Sequence, residues 1–339
     1  MSVLVTGSNG FLGVSVVERL LARGEKDLVL LLRSGSKRTR LDAVLRSAEA
    51  KQAKIELRQG SLATKEDAAR LIEGCDTVYH LAAAMSGAAA DMFLGTVVST
   101  RNLLEAAASR PKPPRIVLCS SFAVYGVADL PRGTVVDERT PLENHPELRD
   151  PYSQSKLKQE QLVWEYGEKR NVPVTVVRPG VIFGPNGPAM SSRVGLNLFG
   201  VFLHLGGDNA LPLTFVDNCA DAIVVAGQSS RAVGEAYNVV DDDLLSAAAY
   251  LSRYKRDVKP LKSVRVPFAA LTVLSLAVAK YHQFSKGQLP AVFTPYKTRA
   301  TWKGNRFENT KMKALGWSPR IPIEEGLRRT FDSLRPSAA

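Results

Sequence analysis

Three glycines, Gly7, Gly10 and Gly13, directly follow a short apolar run, Val3–Val5, and open an amphipathic stretch, Phe11–Ala22. This is a strand–turn–helix unit, and each glycine in it has a physical task. One lets the chain turn tightly, one lets backbone approach a bound pyrophosphate, and one lets the helix pack against the strand. The helix N-terminus then offers free N–H groups and the positive end of its dipole to phosphates. A G-x-x-G-x-x-G string alone is weak evidence, but placed between a strand and a helix it predicts a dinucleotide-binding turn. The turn comprises Gly7, Ser8, Asn9, Gly10, Phe11, Leu12 and Gly13.

The rest of the first half keeps the same rhythm. Leu28–Leu32, Ile55–Arg58, Thr77–Leu81, Arg115–Cys119 and Val174–Val177 read as strands. Between them lie the helical patterns Lys65–Ile72, Phe93–Ala108 and Tyr152–Lys169. Nearly continuous apolar strands alternating with helices predict a parallel sheet covered on both faces, a doubly wound Rossmann α/β fold. After Pro179 the alternation breaks at Gly184-Pro185-Asn186-Gly187, and short elements follow: a helix after Phe215, a strand at Ala236–Val240 and a last helix at Ile323–Leu334. The expected division is a dinucleotide-binding domain over 1–185, rejoined by 215–240, with an interleaved substrate lobe over 186–214 and 241–335.

Composition narrows the function. The 339 residues are 45% hydrophobic, and 45 Lys and Arg against 33 Asp and Glu leave a formal charge of +12. That excess attracts phosphorylated ligands or an anionic membrane surface, or is simply a basic solvated surface. Without basic repeats interleaved with aromatics, nucleic acid is not an expected partner. Three separated cysteines and four scattered histidines predict neither disulfides nor a metal site. An apolar strand starting at Val3 predicts no secretory leader, and with these cysteines a cytoplasmic setting. Val266–Ala279 is uncharged between Arg265 and Lys280. It is too short for a bilayer of roughly 30 Å, so a buried or interfacial helix with peripheral membrane contact is expected.

Three further strings carry chemistry. After the second strand, where an acid would accept bonds from an NAD ribose, stand Arg33, Lys37 and Arg38. They suit a 2′-phosphate and so NADP, the other reading being an exposed basic loop. Tyr152 and Lys156 are four apart and share a helical face. The ammonium is expected to lower the phenol pKa and make Tyr152 a general acid or base. With nine tyrosines, about half of one such match arises by chance, so the pair alone decides nothing. Ser121, at the end of Arg115–Cys119, either orients a substrate oxygen or merely caps a turn.

Together these strings resemble the extended short-chain dehydrogenase/reductase superfamily. The resemblance rests on T-G-S-N-G-F-L-G at 6–13, V-Y-H-L-A-A at 78–83, S-S-F-A-V-Y-G at 120–126 and Y-S-Q-S-K at 152–156. It continues in R-P-G-V-I-F-G-P at 178–185, F-V-D-N-C-A-D-A at 215–222 and L-G-W-S-P at 315–319. It implies a nicotinamide cofactor, with Tyr152 as acid/base, Ser121 as its partner and Lys156 also on the nicotinamide ribose. Leu81, Ala82 and Ala83 would line the cofactor, with Ser61 and Leu62 at the adenine and Pro179, Gly180 and Val181 at the carboxamide. Phe93–Ala108 and Tyr152–Lys169 would form a homodimer interface.

Departures from the family pattern shift the expected substrate. Ser61 stands where an adenine-holding aspartate is usual, and Thr96-Val97-Val98-Ser99-Thr100 lacks the N-V-x-G-T asparagine. Val181 replaces the asparagine that nucleotide-sugar enzymes place near the diphosphate, and Phe122-Ala123 replaces the acidic pair of dehydratases. Val181 and the apolar segment look like the 3β-hydroxysteroid dehydrogenase and dihydroflavonol reductase side of the superfamily. The expectation is an NADP(H)-dependent oxidoreductase that interconverts a ketone and a secondary alcohol on an apolar small molecule. A nucleotide-sugar 4-epimerase or 4-keto-sugar reductase with bound NAD(P) is the alternative. A non-catalytic redox-sensing protein on this fold is a lesser one, because such a protein does not need Ser121, Tyr152 and Lys156.

Overall fold

The computed structural model describes residues 2–284 and 293–335. Seven strands form one sheet: β1 (Val3–Thr6), β2 (Asp27–Leu32), β3 (Lys54–Gln59), β4 (Thr77–His80), β5 (Arg115–Cys119), β6 (Val174–Pro179) and β7 (Ala236–Val239). Their order is β7-β6-β5-β4-β1-β2-β3 and every pairing is parallel. The chain winds outward from β1 through β2 and β3, then restarts at β4 on the other side of β1. The carboxyl ends of β1 and β4 therefore diverge and leave a crevice at the switch point.

Side-chain alternation explains why both faces are covered. Val3 and Val5 of β1 enter one core and Leu4 enters the other. The first core also takes α1 (Phe11–Ala22) and α5 (Val216–Gln228), through Val14, Leu20, Cys219 and Ile223. The second takes α2 (Lys65–Leu71), α3 (Ser99–Ala108) and α4 (Pro151–Arg170), through Leu71, Leu103 and Leu162.

One expected helix is broken. Phe93–Ala108 divides into a short helix Ala89–Phe93, a π-helical turn Leu94–Val98 and α3. Hydroxyls compete for its carbonyls: Ser99 Oγ donates to Gly95 O (2.8 Å) and Thr100 Oγ1 to Thr96 O (2.6 Å). Such competition, in a run of Gly95 and three β-branched residues, favours the wider turn.

After β6 the chain leaves the sheet. Val181–Phe183 pairs in parallel with Leu213–Phe215, and Gly195–Leu198, Val201–His204 and Ser263–Arg265 form a three-stranded sheet. The helices α6 (Ala247–Asp257), α7 (Phe268–Phe284), α8 (Pro295–Trp302) and α9 (Ile323–Leu334) complete this region. The apolar segment forms α7, but it is not a core helix. Leu271 and Ser275 are buried, while Val273 (66% exposed), Leu276 (50%) and Phe284 (84%) face outward. Among the described residues, no helix is long and apolar enough to cross a membrane.

Candidate active site

The glycine turn lies at the crevice, and its geometry explains the residue types. Gly7 has φ +68°, a left-handed conformation that penalises any side chain, and a Cβ there would sit 3.2 Å from the Ala82 amide nitrogen. A Cβ on Gly13 would sit 2.0 Å from the Gly7 carbonyl oxygen, so helix and turn pack too closely for any other residue. Gly10 caps α1 with extended backbone, no side-chain cap and no acid in the first turn. The helix N-terminus is thus bare, positive and approachable, which fits a pyrophosphate. Ser8 does not contribute its side chain: its buried hydroxyl donates to Leu31 O (3.0 Å). Phe11 lies against Gly187, whose added Cβ would come within 2.5 Å of the ring, and Leu12 packs on the core.

The basic loop adjoins this turn, because Asn9 Nδ2 donates to Lys37 O (3.1 Å). Arg33 and Lys37 are exposed and neither side chain is in an ion pair among the described residues. Arg38 departs from the expectation: it pairs with Asp42 (2.7 Å), one helical turn on, which occupies its guanidinium. Ser61 is exposed, and its hydroxyl accepts from Ala63 N (3.2 Å) in a local turn, while Leu62 is buried in the second core. Ala82 and Leu81 donate their backbone N–H to Thr6 Oγ1, which fixes Leu81 and Ala82 beside Gly7, with Ala83 next along the chain. The amides of Gly180 and Val181 are both committed, to Val239 O and Pro212 O, so a carboxamide facing Pro179–Val181 meets no free N–H there.

Ser121 caps a turn and also reaches Tyr152. Its Oγ accepts from Ala123 N (3.1 Å), capping the turn Phe122–Val124, and its hydroxyl is hydrogen-bonded to Tyr152. Tyr152 stands in the first turn of α4, whose N-cap Asp150 accepts from Ser153 N. The expected lowering of the Tyr152 phenol is outweighed by burial. Burial pushes the Tyr152 phenol up to about 12, with the Ser121 bond opposing the rise. The Lys156 ammonium is engaged elsewhere in this state: Nζ donates to Cys119 O (2.7 Å) and to Gln159 Oε1 (2.5 Å). Lys156 is itself buried, and desolvation lowers its pKa.

Those contacts belong to a buried chain of hydrogen bonds that sequence reasoning missed. Gln159 Nε2 donates to Thr100 Oγ1 (2.8 Å), whose single proton goes to Thr96 O. Thr100 must then accept from His80 Nε2 (2.8 Å), which makes His80 Nδ1 the acceptor for Thr6 Oγ1 (2.9 Å). The Thr6 oxygen in turn accepts from Leu81 and Ala82. Every direction is therefore fixed, from Lys156 to the glycine turn. Burial and the Lys156 charge hold His80 down at about 3, so it stays neutral.

A second network lies beside it. The buried Arg178–Glu160 pair (2.5 Å) is joined by Ser120 Oγ, which donates to Glu160 (2.5 Å), and by Tyr125, which accepts from Arg178 Nη1 (2.9 Å). It ties β5, α4 and β6 together at the carboxyl end of the sheet. A third pair, Arg149–Glu143 (2.7 Å), anchors Tyr296 of α8 through its hydroxyl.

A doubly wound sheet of this order, with a glycine turn and a helix N-terminus open at the switch point, defines a dinucleotide-binding enzyme fold. The chain belongs to the NAD dependent epimerase/dehydratase family, whose model matches residues 3–239, and it is an extended short-chain dehydrogenase/reductase with a nicotinamide cofactor. It is 27% identical to a 3beta-hydroxysteroid-dehydrogenase/decarboxylase, isoform 2, of Arabidopsis thaliana; the alignment covers 97% of this chain and 61% of that protein. It is likewise 27% identical to the 2-alkyl-3-oxoalkanoate reductase of Shewanella oneidensis, over 97% of this chain and 85% of the other. Its fold matches the UDP-glucuronic acid 4-epimerase of Bacillus cereus, solved with UDP-glucuronic acid and NAD, at TM-score 0.72 and 19% identity, covering 98% and 99% of the two chains.

Proposed function

We propose that the protein is an NADP(H)-dependent oxidoreductase that interconverts a ketone and a secondary alcohol on an apolar small molecule. The observation that carries this reading is the Ser121–Tyr152 hydroxyl pair beside the buried, hydrogen-bonded Lys156. A substrate carbonyl oxygen held between the two hydroxyls would receive a proton from Tyr152 as a hydride arrives at carbon. The bound cofactor supplies that hydride. Ser121 orients the oxygen, and the Lys156 ammonium steadies the charge left on the tyrosine. The high phenol pKa keeps Tyr152 protonated, as an acid in the reductive direction requires.

Arg33 and Lys37 favour NADP, being exposed cations at the end of β2 without ion-pair partners among the described residues. Val181 beside the site favours an apolar substrate, as do the names of the Arabidopsis and Shewanella relatives. The substrate lobe is assigned to 186–214 and 241–335 and the cofactor domain to 1–185 with 215–240, with Met312, Leu315 and Trp317 returning from the lobe to the first core. The exposed face of α7, between Arg265 and Lys280, suits peripheral contact with an anionic membrane by an otherwise cytoplasmic protein. Phe93 and Leu94, 46% and 59% exposed beside α3 and α4, suit a homodimer interface.

The test is purified protein screened against apolar ketones with NADPH and NADH, following cofactor absorbance. Consumption of NADPH in preference to NADH supports the reading, and no oxidation with any ketone refutes it. Mass spectrometry of denatured protein separates it from an epimerase, which would carry co-purified NAD.

A further inference from the structure

Ser121 stands in a stretch that is pinned on both sides to one buried ion pair. Ser120, just before it, donates its hydroxyl to Glu160 Oε2 (2.5 Å). Tyr125, which ends the turn Phe122–Val124 that Ser121 caps, accepts from Arg178 Nη1 (2.9 Å). Glu160 Oε1 in turn accepts from Arg178 Nε (3.1 Å) and Nη2 (2.5 Å). The Ser121 hydroxyl thus lies between two residues held by the two halves of the same pair.

The local backbone sets this up. Leu118 packs in the second core, and strand alternation points Ser120 to the same face, the one that α4 covers. On α4, Tyr152, Lys156 and Glu160 are spaced by four and share a stripe. Consecutive residues at the end of β5 therefore meet successive turns of the helix. Ser121 bonds Tyr152, the Cys119 carbonyl accepts from Lys156, and Ser120 bonds Glu160.

Glu160 does not need Ser120 as a donor. Its carboxylate already receives the Arg178 guanidinium and the Trp164 indole N–H (3.1 Å). The pair is also firmly set, with Glu160 0% and Arg178 4% exposed. The Arg178 guanidinium lies 5.0 Å from the Tyr125 ring centroid, and the Tyr125 hydroxyl donates to Asn238 Oδ1 (2.6 Å) on β7. A satisfied, buried network of this kind fixes geometry more than it adds stability. What it fixes here is the stretch from Ser120 to Tyr125.

We infer that the Glu160–Arg178 pair positions the Ser121 hydroxyl against Tyr152, acting through Ser120 on one side and Tyr125 on the other. The inference rests on the carbonyl-oxidoreductase reading, in which the Ser121 and Tyr152 hydroxyls hold the substrate oxygen, and it adds Ser120 and Tyr125 as positioning residues. Neither is a proton donor to substrate, because the one proton of each hydroxyl is committed, to Glu160 and to Asn238.

The experiment compares Ser120→Ala and Tyr125→Phe, both of which keep the ion pair, in the wild-type and the Ser121→Ala backgrounds. NADPH oxidation with a ketone that the wild type reduces gives kcat, and a thermal melt gives stability. The carbon-13 resonance of Tyr152 Cζ, assigned by its absence in Tyr152→Phe, reports the Ser121 bond without turnover. Each change in the wild-type background is expected to lower kcat about 5- to 20-fold and to leave NADPH affinity within about twofold. Each should also move the Tyr152 resonance towards its position in Ser121→Ala. In the Ser121→Ala background neither should lower kcat by more than about twofold, because the hydroxyl that they place is gone. A merely structural role predicts the same loss in both backgrounds, and that result overturns the inference. So does a Tyr152 resonance that stays in place in both variants. A wild type that oxidises NADPH with no ketone refutes the carbonyl reading instead, and the resonance then decides the positioning by itself.

Discussion

Gln159→Leu should disable the site without touching a reacting atom. Gln159 is fully buried on α4 and accepts from Lys156 Nζ at 2.5 Å. The substitution nearly conserves volume but leaves the ammonium with Cys119 O as its one acceptor among the described residues. A hydrogen bond to a charged group is worth about 1.5–3 kcal/mol. If that loss falls on the geometry Lys156 needs to steady the Tyr152 phenolate, kcat drops by roughly 10- to 100-fold. Desolvation already lowers the Lys156 pKa, and losing the bond lowers it further. The charged lysine is therefore lost at lower pH, and the alkaline limb of the pH–rate profile moves to lower pH. Thr100→Val is the control, because it cuts the next link of the chain and keeps the Lys156–Gln159 bond. Its loss of kcat should be smaller. The assay is single-turnover oxidation of NADPH across a pH series, beside a thermal melt. If Gln159→Leu keeps kcat within about twofold and the alkaline limb stays in place, Lys156 does not depend on Gln159 and the reasoning fails.

Other perturbations probe different parts. Arg33→Ala should weaken NADPH by about 10- to 100-fold and leave NADH unchanged, as read by cofactor fluorescence titration. Gly13→Ala places a methyl 2.0 Å from Gly7 O and should abolish cofactor binding, with about 1–3 kcal/mol of destabilisation seen in a melt. Burial raises Asp241 from an ordinary 3.8 to about 7, so the fold favours its protonated form. Its stabilising contribution is full below about pH 4 and lost as pH rises through 7, up to about 4 kcal/mol, so Asp241→Asn should flatten that part of the stability–pH curve.

Much of the fold is written in hydrophobic period. Phe11–Ala22 and Ile323–Leu334 form helices over the residues that the pattern marks, and all six early strands fall where apolar runs occur. The pattern failed at Phe93–Ala108, because period does not register hydroxyls competing for carbonyls within a helix. The partner that Arg38 takes within the chain is a local one that the sequence does contain: an acid four residues on, at Asp42. The glycine turn was legible because its geometry admits no other residue type at Gly7 and Gly13. The His80–Thr100–Gln159–Lys156 chain was not, since it joins four segments that meet only in the fold. Its one sequence signal was the placing of Thr100 and Gln159 on the core-facing sides of their helices.

The most direct test of the account is Tyr152→Phe, assayed with NADPH and a ketone that the wild type reduces. The account predicts unchanged NADPH affinity and a fall in kcat of about 10²- to 10⁴-fold, the worth of a positioned proton donor. Turnover at the wild-type rate with the phenylalanine in place would contradict it.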